Sequence, residues 1–455
     1  MRYINQHNSR MNPKDFYSKL ISVFVFFSVL VFSSCKKENT RVFDQSPDTR
    51  INDALTQYGS ALTSSAAGWN ATIKTGTGGI YHFHFRFNES NRVFMYADIN
   101  LETATTAKES SYRLKALQTP ALIFDTYSYL HILADPNGSV NGGANGQGLI
   151  SDFEFAFDSL AADSILLTGR VNGTKLKLIK ATQQDFDAWQ NGQWANVLAF
   201  ENINKIQNYF KRVNIGGVNY DLKVDPVART ILFTWVDGNG NLQQFVTAYN
   251  YNSSGVVFDT PFNAGSQTIN GFEVVSWNAG NFTLNIKVNG TPATIAGATQ
   301  PLKVDLGAPQ RWRQYAINNG GLYWISVNGF TINGVEDAFG IKTLKTDSSQ
   351  YFYLLYWPVP SGQTFDALAP TFLIPSQNAL DLIYGIAVTP TFSPDGRAVF
   401  SYLSDVVGPY PSTGPAALTR TQLLLPQGYY FIQTGPTTYD MVSALDARAW
   451  ISWQF

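Results

Sequence analysis

The chain has 455 residues and a formal net charge of −1. At about 100–200 residues per domain that length allows two to four domains, and the near-neutral balance gives no electrostatic support to a nucleic-acid partner. Charged residues make up 14%, against roughly 25% in ordinary globular proteins, and aromatics reach the same 14%, a mix that excludes disorder and suits an exported, turn-rich β protein.

The first element is residues 11–35. Lys14 and Lys19 give it a positive start, an apolar run extends from Leu20 to Phe32, and Ser33, Ser34 and Cys35 close it. This is the pattern of a secretory signal, too short to span a bilayer comfortably. Small residues just before a cysteine form a lipobox. The expectation is therefore a signal peptide over 1–34, lipidation at Cys35 and a charged tether over 35–45. Residues 1–10 are polar and add nothing to the signal, so Met11 is an alternative start. Cys35 is the one cysteine in the chain, which leaves no disulfides. Stable anchoring takes more than one acyl chain, at about 0.8 kcal/mol per buried CH₂, and a triacylated cysteine supplies them.

Residues 46–211 read as a helix followed by an antiparallel β meander. Ser46 is a good N-cap and Pro47 suits the first helical turn, with Ile51, Leu55, Tyr58 and Leu62 at helical spacing. Strand patterns then fall at 69–74, 80–88, 92–98, 111–117, 121–134, 151–160, 163–171 and 175–181. Residues 80–88 alternate most clearly, with Tyr81, Phe83, Phe85 and Phe87 on one face and His82, His84 and Arg86 on the other. Asn172 and Gly173 mark a two-residue hairpin, and the Gly/Asn-rich tract 137–148 reads as a mobile loop. About eight strands in sequential order predict a lipocalin-like barrel or half-barrel, because closure removes the exposed edges. Thr182 and Asp185 have capping-box spacing, and the helical region they open breaks near Asn191 and Gly192.

A composition change at 211–217 separates a second β region, 212–304, with turn signals at 237–241, 252–255, 278–281 and 289–290. A third region, 305–455, opens with a helix at 309–318. Strands follow at 322–327, 350–357, 398–403, 428–433 and 439–443, a helix capped by Ser376 at 377–384, and an aromatic terminal strand. The fold class expected is mainly β, with further β-rich regions and short helices after the meander.

Few residues invite chemistry. His82 and His84 share a strand face, an arrangement that can hold one metal, and His131, placed on a later predicted strand, could be a third ligand. The plain alternative is polar strand residues facing solvent or a barrel lumen. Residues 237–241 resemble half a calcium loop but lack the downstream glutamate, which leaves a hairpin turn. Trp277, Trp312, Trp324 and Trp357 are candidate ligand platforms, set against the more common role of aromatics as core residues. No zinc-protease helix, nucleophile elbow or phosphate loop occurs, and no carboxylate pair stands out. The expectation is a non-enzymatic protein with no cofactor.

The segments 42–51, 54–55 and 68–69, with 111–114, 122–127, 133–135, 151–155 and 180–182, resemble the domain of unknown function 4302 family, best over 41–187. That resemblance implies a lipoprotein of Bacteroidota, often encoded beside outer-membrane nutrient-import systems of the starch-utilisation type. No catalytic residues are known for the family. The functional expectation is an outer-membrane, surface-exposed accessory protein. It binds a glycan or peptide and works with an import complex, not with nucleic acid. A structural partner of a transporter or a neighbouring peptidase is the alternative, and an Asp-dependent hydrolase is a third reading.

Overall fold

The computed structural model describes residues 45–265 and 267–455, so the signal, the lipobox and Cys35 lie outside the described residues. The chain forms three successive β bodies, each entered through helix. The first helix, Pro47–Thr63, starts where the cap predicts, with the Ser46 hydroxyl accepting the N–H of Thr49 at 3.1 Å.

Eight antiparallel strands follow in order: β1 (Trp69–Lys74), β2 (Ile80–Phe87), β3 (Arg92–Ala97), β4 (Lys108–Ala116), β5 (Pro120–Phe124), β6 (Glu154–Leu160), β7 (Ser164–Gly169) and β8 (Lys175–Lys180). β8 pairs back with β1, and the meander closes into the expected barrel. Phe83, Phe85, Phe124 and Phe155 pack its interior, with neighbouring ring centroids 5.5–6.4 Å apart. The indole N–H of Trp69 donates to the Leu62 carbonyl at 2.8 Å and so fixes the entry helix to the first strand.

A helical connector leads to the second body. Gln183–Gln190 carries the predicted capping box, Gly192 breaks the helix in the left-handed region, and Gln193–Val197 and a 3₁₀ turn, Leu198–Lys205, complete it. Phe200 and Ile203 of this connector belong to the core of the second barrel. That barrel is also closed, with eight strands: β9 (Phe210–Ile215), β10 (Val218–Asp225), β11 (Thr230–Val236), β12 (Leu242–Asn252), β13 (Gly255–Ala264), β14 (Gln267–Asn278), β15 (Thr283–Val288) and β16 (Thr291–Ala298). β9 occupies most of the stretch where the composition changes.

The third body begins with the helix Ala308–Asn318. Its sheet contains β17 (Trp324–Ser326), β18 (Thr331–Ile332), β19 (Gln350–Trp357), β20 (Asp366–Ile374), β21 (Ala379–Asp381), β22 (Gly385–Phe392), β23 (Arg397–Val406), β24 (Tyr429–Gly435), β25 (Thr438–Ser443) and β26 (Ala449–Gln454). β17 pairs with β19 on one side and touches β26 through Ile325 and Gln454 on the other, so eight of these strands come round to their start. Trp324 opens the first strand, and its indole N–H donates to the helix carbonyl of Trp312 at 3.0 Å. The same helix-to-strand indole bond thus occurs in the first and third bodies.

Three local expectations are corrected. Residues 121–134 are not one strand: β5 ends at Phe124, and Tyr129–Ala134 is a helix in which the Ser128 N–H donates to His131 Nδ1 at 3.1 Å. The tract 137–148 contains the short helix Gly138–Asn141, tied back by Asn141 Nδ2 to the carbonyls of Ile132 and Asp135 at 2.8 and 2.9 Å. Residues 377–384 are no helix but a turn, with Asn378 left-handed, and the short strand β21.

The two barrels are joined by a buried charge. At the β10–β11 turn Asp225 Oδ1 accepts the N–H groups of Val227 and Ala228, both at 2.9 Å, and Arg229 takes a left-handed φ of 48°. Its side chain enters the first barrel, where Nη1 and Nη2 lie 3.1 and 3.2 Å from the two oxygens of Asp98. Both residues are sealed from water. His82 Nδ1 lies 3.0 Å from the same carboxylate, and the Tyr81 ring lies under the guanidinium at 3.9 Å. Glu201 of the connector, 3.2 Å from the Tyr251 hydroxyl, stands near this network. Burial pushes the Glu201 carboxyl from about 4.5 to about 7, with Asp98 adding to the rise and Arg229 and Tyr251 opposing it.

A folded pKa above the unfolded one favours folding at low pH. That contribution is lost as pH rises from about 4.5 to about 7. Buried His84, held down to about 4 mainly by desolvation, has the opposite slope between about 4 and 6.5. The diagnostic is therefore the difference between proteins: Glu201→Gln should gain stability relative to the wild type as pH rises from 4.5 to 7, read from chemical denaturation at each pH. Parallel profiles would contradict the assignment.

Candidate binding groove

The residues singled out in the sequence do not converge. His82 serves Asp98, His84 is buried beside Phe186 at a ring-centroid distance of 5.1 Å, and His131 sits on a helix rather than a strand. Among the described residues no group of three or more His, Cys, Asp or Glu is placed to hold a metal ion. Trp312 and Trp324 are sealed in the third core, so neither ring face reaches solvent and neither can be a platform. Trp277 is half-buried and packs against Phe282. Trp357 is half-buried too, its indole N–H donating to the Gly321 carbonyl at 2.6 Å. Residues 237–241 form the hairpin turn: Asp237 Oδ1 accepts the N–H groups of Asn239 and Asn241, and Oδ2 accepts from Gln243.

A different place has the shape of a site. Between the second barrel and the third sheet lie two adjoining hollows of about 540 and 350 Å³ that share Lys223, Thr434 and Asp440. The barrel side comes from β9–β12, the sheet side from β24–β26 with β17, β18 and the loop between them, and the connecting segment 301–303 borders one end. Alternation explains the wall. On β25 and β26 the residues Met441, Ile451 and Trp453 fill the core, whereas Thr438, Asp440, Ser452 and Gln454 line the hollows. Beside the larger hollow Phe210, Val442 and Ala447 form a small apolar cluster with Trp450 packed on it, and the Trp450 ring stands edge-on to Tyr209 at 5.6 Å.

The charges of the groove are largely fixed. Arg212 Nε and Nη2 grip Asp221 at 2.6 and 3.0 Å, and Arg212 also donates to the Gln300 carbonyl at 2.8 Å. Burial raises the Asp221 pKa and Arg212 opposes the rise. The Tyr209 hydroxyl donates to Asp440 at 2.6 Å, and burial together with that carboxylate holds the phenol far above its usual range. Burial, then Lys223, lowers the Lys211 pKa. Lys303 Nζ donates to the Gly240 carbonyl at 2.6 Å. Lys223 forms no ion pair among the described residues, which leaves its ammonium available to the groove. The smaller hollow is lined mainly by hydroxyls, amides and charges, whereas the larger adds Leu222, Leu232, Leu242, Leu302 and Ile432 around its polar groups and Trp450, a surface suited to a ligand with both an apolar face and hydroxyls.

No sequence pattern marks this place, because Lys223 comes from the second barrel whereas Asp440 and Trp450 come from two strands of the third body. Trp450 belongs to the terminal aromatic stretch, whose composition signals docking and nothing more.

Fold and groove together define a tandem β-barrel protein with an interdomain groove. The chain belongs to the family of the domain of unknown function DUF4302, which matches residues 39–279 and so takes in the first barrel and most of the second. Curated proteins yield no match. Among the described residues no helix is long and apolar enough to cross a membrane.

Proposed function

We propose that this protein is a lipid-anchored accessory protein of the outer-membrane surface that captures glycan in the groove for a nutrient-import system, without chemical turnover. The observation that carries the reading is the groove, where hydroxyl and amide side chains stand with Lys223 and Asp440 beside the Trp450 ring and an aliphatic wall that includes Leu232, Leu242 and Ile432. The lipobox at Cys35 and the charged tether support the location. The packed barrel interiors leave the groove as the better recess, since Phe and Tyr rings fill the volume that a lumenal ligand would need.

Migration of the full-length chain through native gels cast with soluble starch, xylan or mannan tests the proposal. Retardation by at least one polysaccharide is expected. Trp450→Ala should weaken it on the order of tenfold or more, as truncating an aromatic anchor costs about 2 kcal/mol or more. Retention by peptides and by none of the polysaccharides would overturn the glycan assignment.

A further inference from the structure

One rim of the first barrel carries a stack of three rings that the groove does not use. His131 lies between Tyr127 and Phe153, with ring centroids 5.6 and 4.5 Å away and planes inclined by 28° and 24°. Tyr127 is 47% exposed and Phe153 38%. None of the three is loose. The Tyr127 hydroxyl donates to Asp135, His131 Nδ1 accepts the Ser128 N–H at 3.1 Å, and the Phe153 carbonyl accepts the Phe124 N–H at 3.1 Å. The Lys108 ammonium lies 5.4 Å from the Tyr127 ring centre. Close by, Arg113 grips Asp125 through two N–H donors, and Glu154 follows Phe153 in the chain.

We propose that this stack is a second carbohydrate-binding site, which takes a pyranose ring of a neutral glycan independently of the groove. A sugar presents a flat C–H face and a rim of hydroxyls. Exposed aromatic rings match the first, and planar charged groups such as the Arg113–Asp125 fork match the second. Rings already held in place lose little freedom when a ligand arrives. A lipid or an apolar peptide would need a wide continuous apolar surface, whereas here Lys108, Arg113, Asp125 and Asp135 hem the rings in.

The test uses the full-length chain with ¹³C-labelled histidine and three probes: maltohexaose, xylohexaose and mannohexaose. Binding of at least one should shift the His131 ring resonance and leave that of His84 unmoved. Phe153→Ala should abolish the His131 shift and weaken binding at this site at least fivefold, while Trp450→Ala leaves the shift intact. The resonance is read in the unsubstituted protein as well, so the answer does not depend on the variant folding. A His131 signal that none of the hexasaccharides moves overturns the second site. If the same sugars still bind and Trp450→Ala weakens them, the groove reading survives on its own; if no sugar binds anywhere, both readings fail.

Discussion

Replacing Arg229 with alanine should destabilise the barrel pair by about 3–5 kcal/mol, the usual cost of leaving one member of a buried ion pair alone. Asp98 is fully sealed, and without the guanidinium it keeps only the ring and the backbone N–H of His82. Tyr81 and Tyr251 would also lose the cation that lies over their rings at 3.9 and 5.0 Å. For a body of this size that cost corresponds to about 10 °C in the first calorimetric transition. Removing both charges, in Asp98→Leu with Arg229→Met, should cost less than Arg229→Ala alone, because no unpaired charge remains. The pH response has a definite sign. Burial alone would raise the Asp98 pKa, but Arg229 and His82 hold it below its usual value. Its stabilising contribution is therefore present above an unfolded pKa of about 3.9 and is lost as pH falls further. Arg229→Ala should lack that loss. A wild-type-like transition in Arg229→Ala would show that the barrels are held together by other contacts.

Asp366→Ala should have an effect of similar size in the third body. This sealed carboxylate accepts from Arg313 Nε and Nη2, both at 2.7 Å, from the Tyr356 hydroxyl at 2.6 Å and from the Val359 N–H at 3.0 Å. It ties the helix Ala308–Asn318 to β19 and β20 and holds Val359 in the left-handed region, at φ 47°. Deletion would strand a hydroxyl, an amide and a guanidinium in poor solvent, with an expected loss of about 3–5 kcal/mol. Asp366→Asn keeps the shape and some acceptors, so about half that loss is expected. Denaturant unfolding followed by tryptophan fluorescence reads both, since Trp312 and Trp324 report on this core. Equal stability of Asp366→Ala and wild type would contradict the role assigned to the carboxylate.

Much of the fold is legible in local pattern. Tyr81, Phe83, Phe85 and Phe87 announce a half-buried strand because solvent and core impose a period of two. Thr182–Asp185 announces a helix start through its capping box, and Asn172-Gly173 announces a turn, although the connection is the five-residue loop 170–174 rather than a two-residue hairpin, with Gly173 but not Asn172 left-handed. β20 and β22 are harder to read, since their continuous buried runs, such as Ala367 to Phe372, erase the alternation. The helix Gly414–Leu423 begins with a Gly-Pro pair that reads as a breaker, although proline is well suited to the first helical turn. Tyr129–Ala134 is apolar enough to pass for strand, and only the bond between Ser128 and His131 reveals its cap. The groove has no local signature at all. Lys223 and Asp440 become neighbours through the packing of one body on another, a relation that spacing along the chain does not encode.

Hydrogen–deuterium exchange of the full-length chain, with and without the polysaccharide that retards it, bears most directly on the groove. Slower exchange at 432–440, 450–454 and 219–224 is the expected result, with any further protection falling at the ring stack of residues 127–153, because a glycan lying between barrel and sheet must shield those strands. Protection elsewhere with these three segments unchanged would mean that the groove is not where the ligand is held.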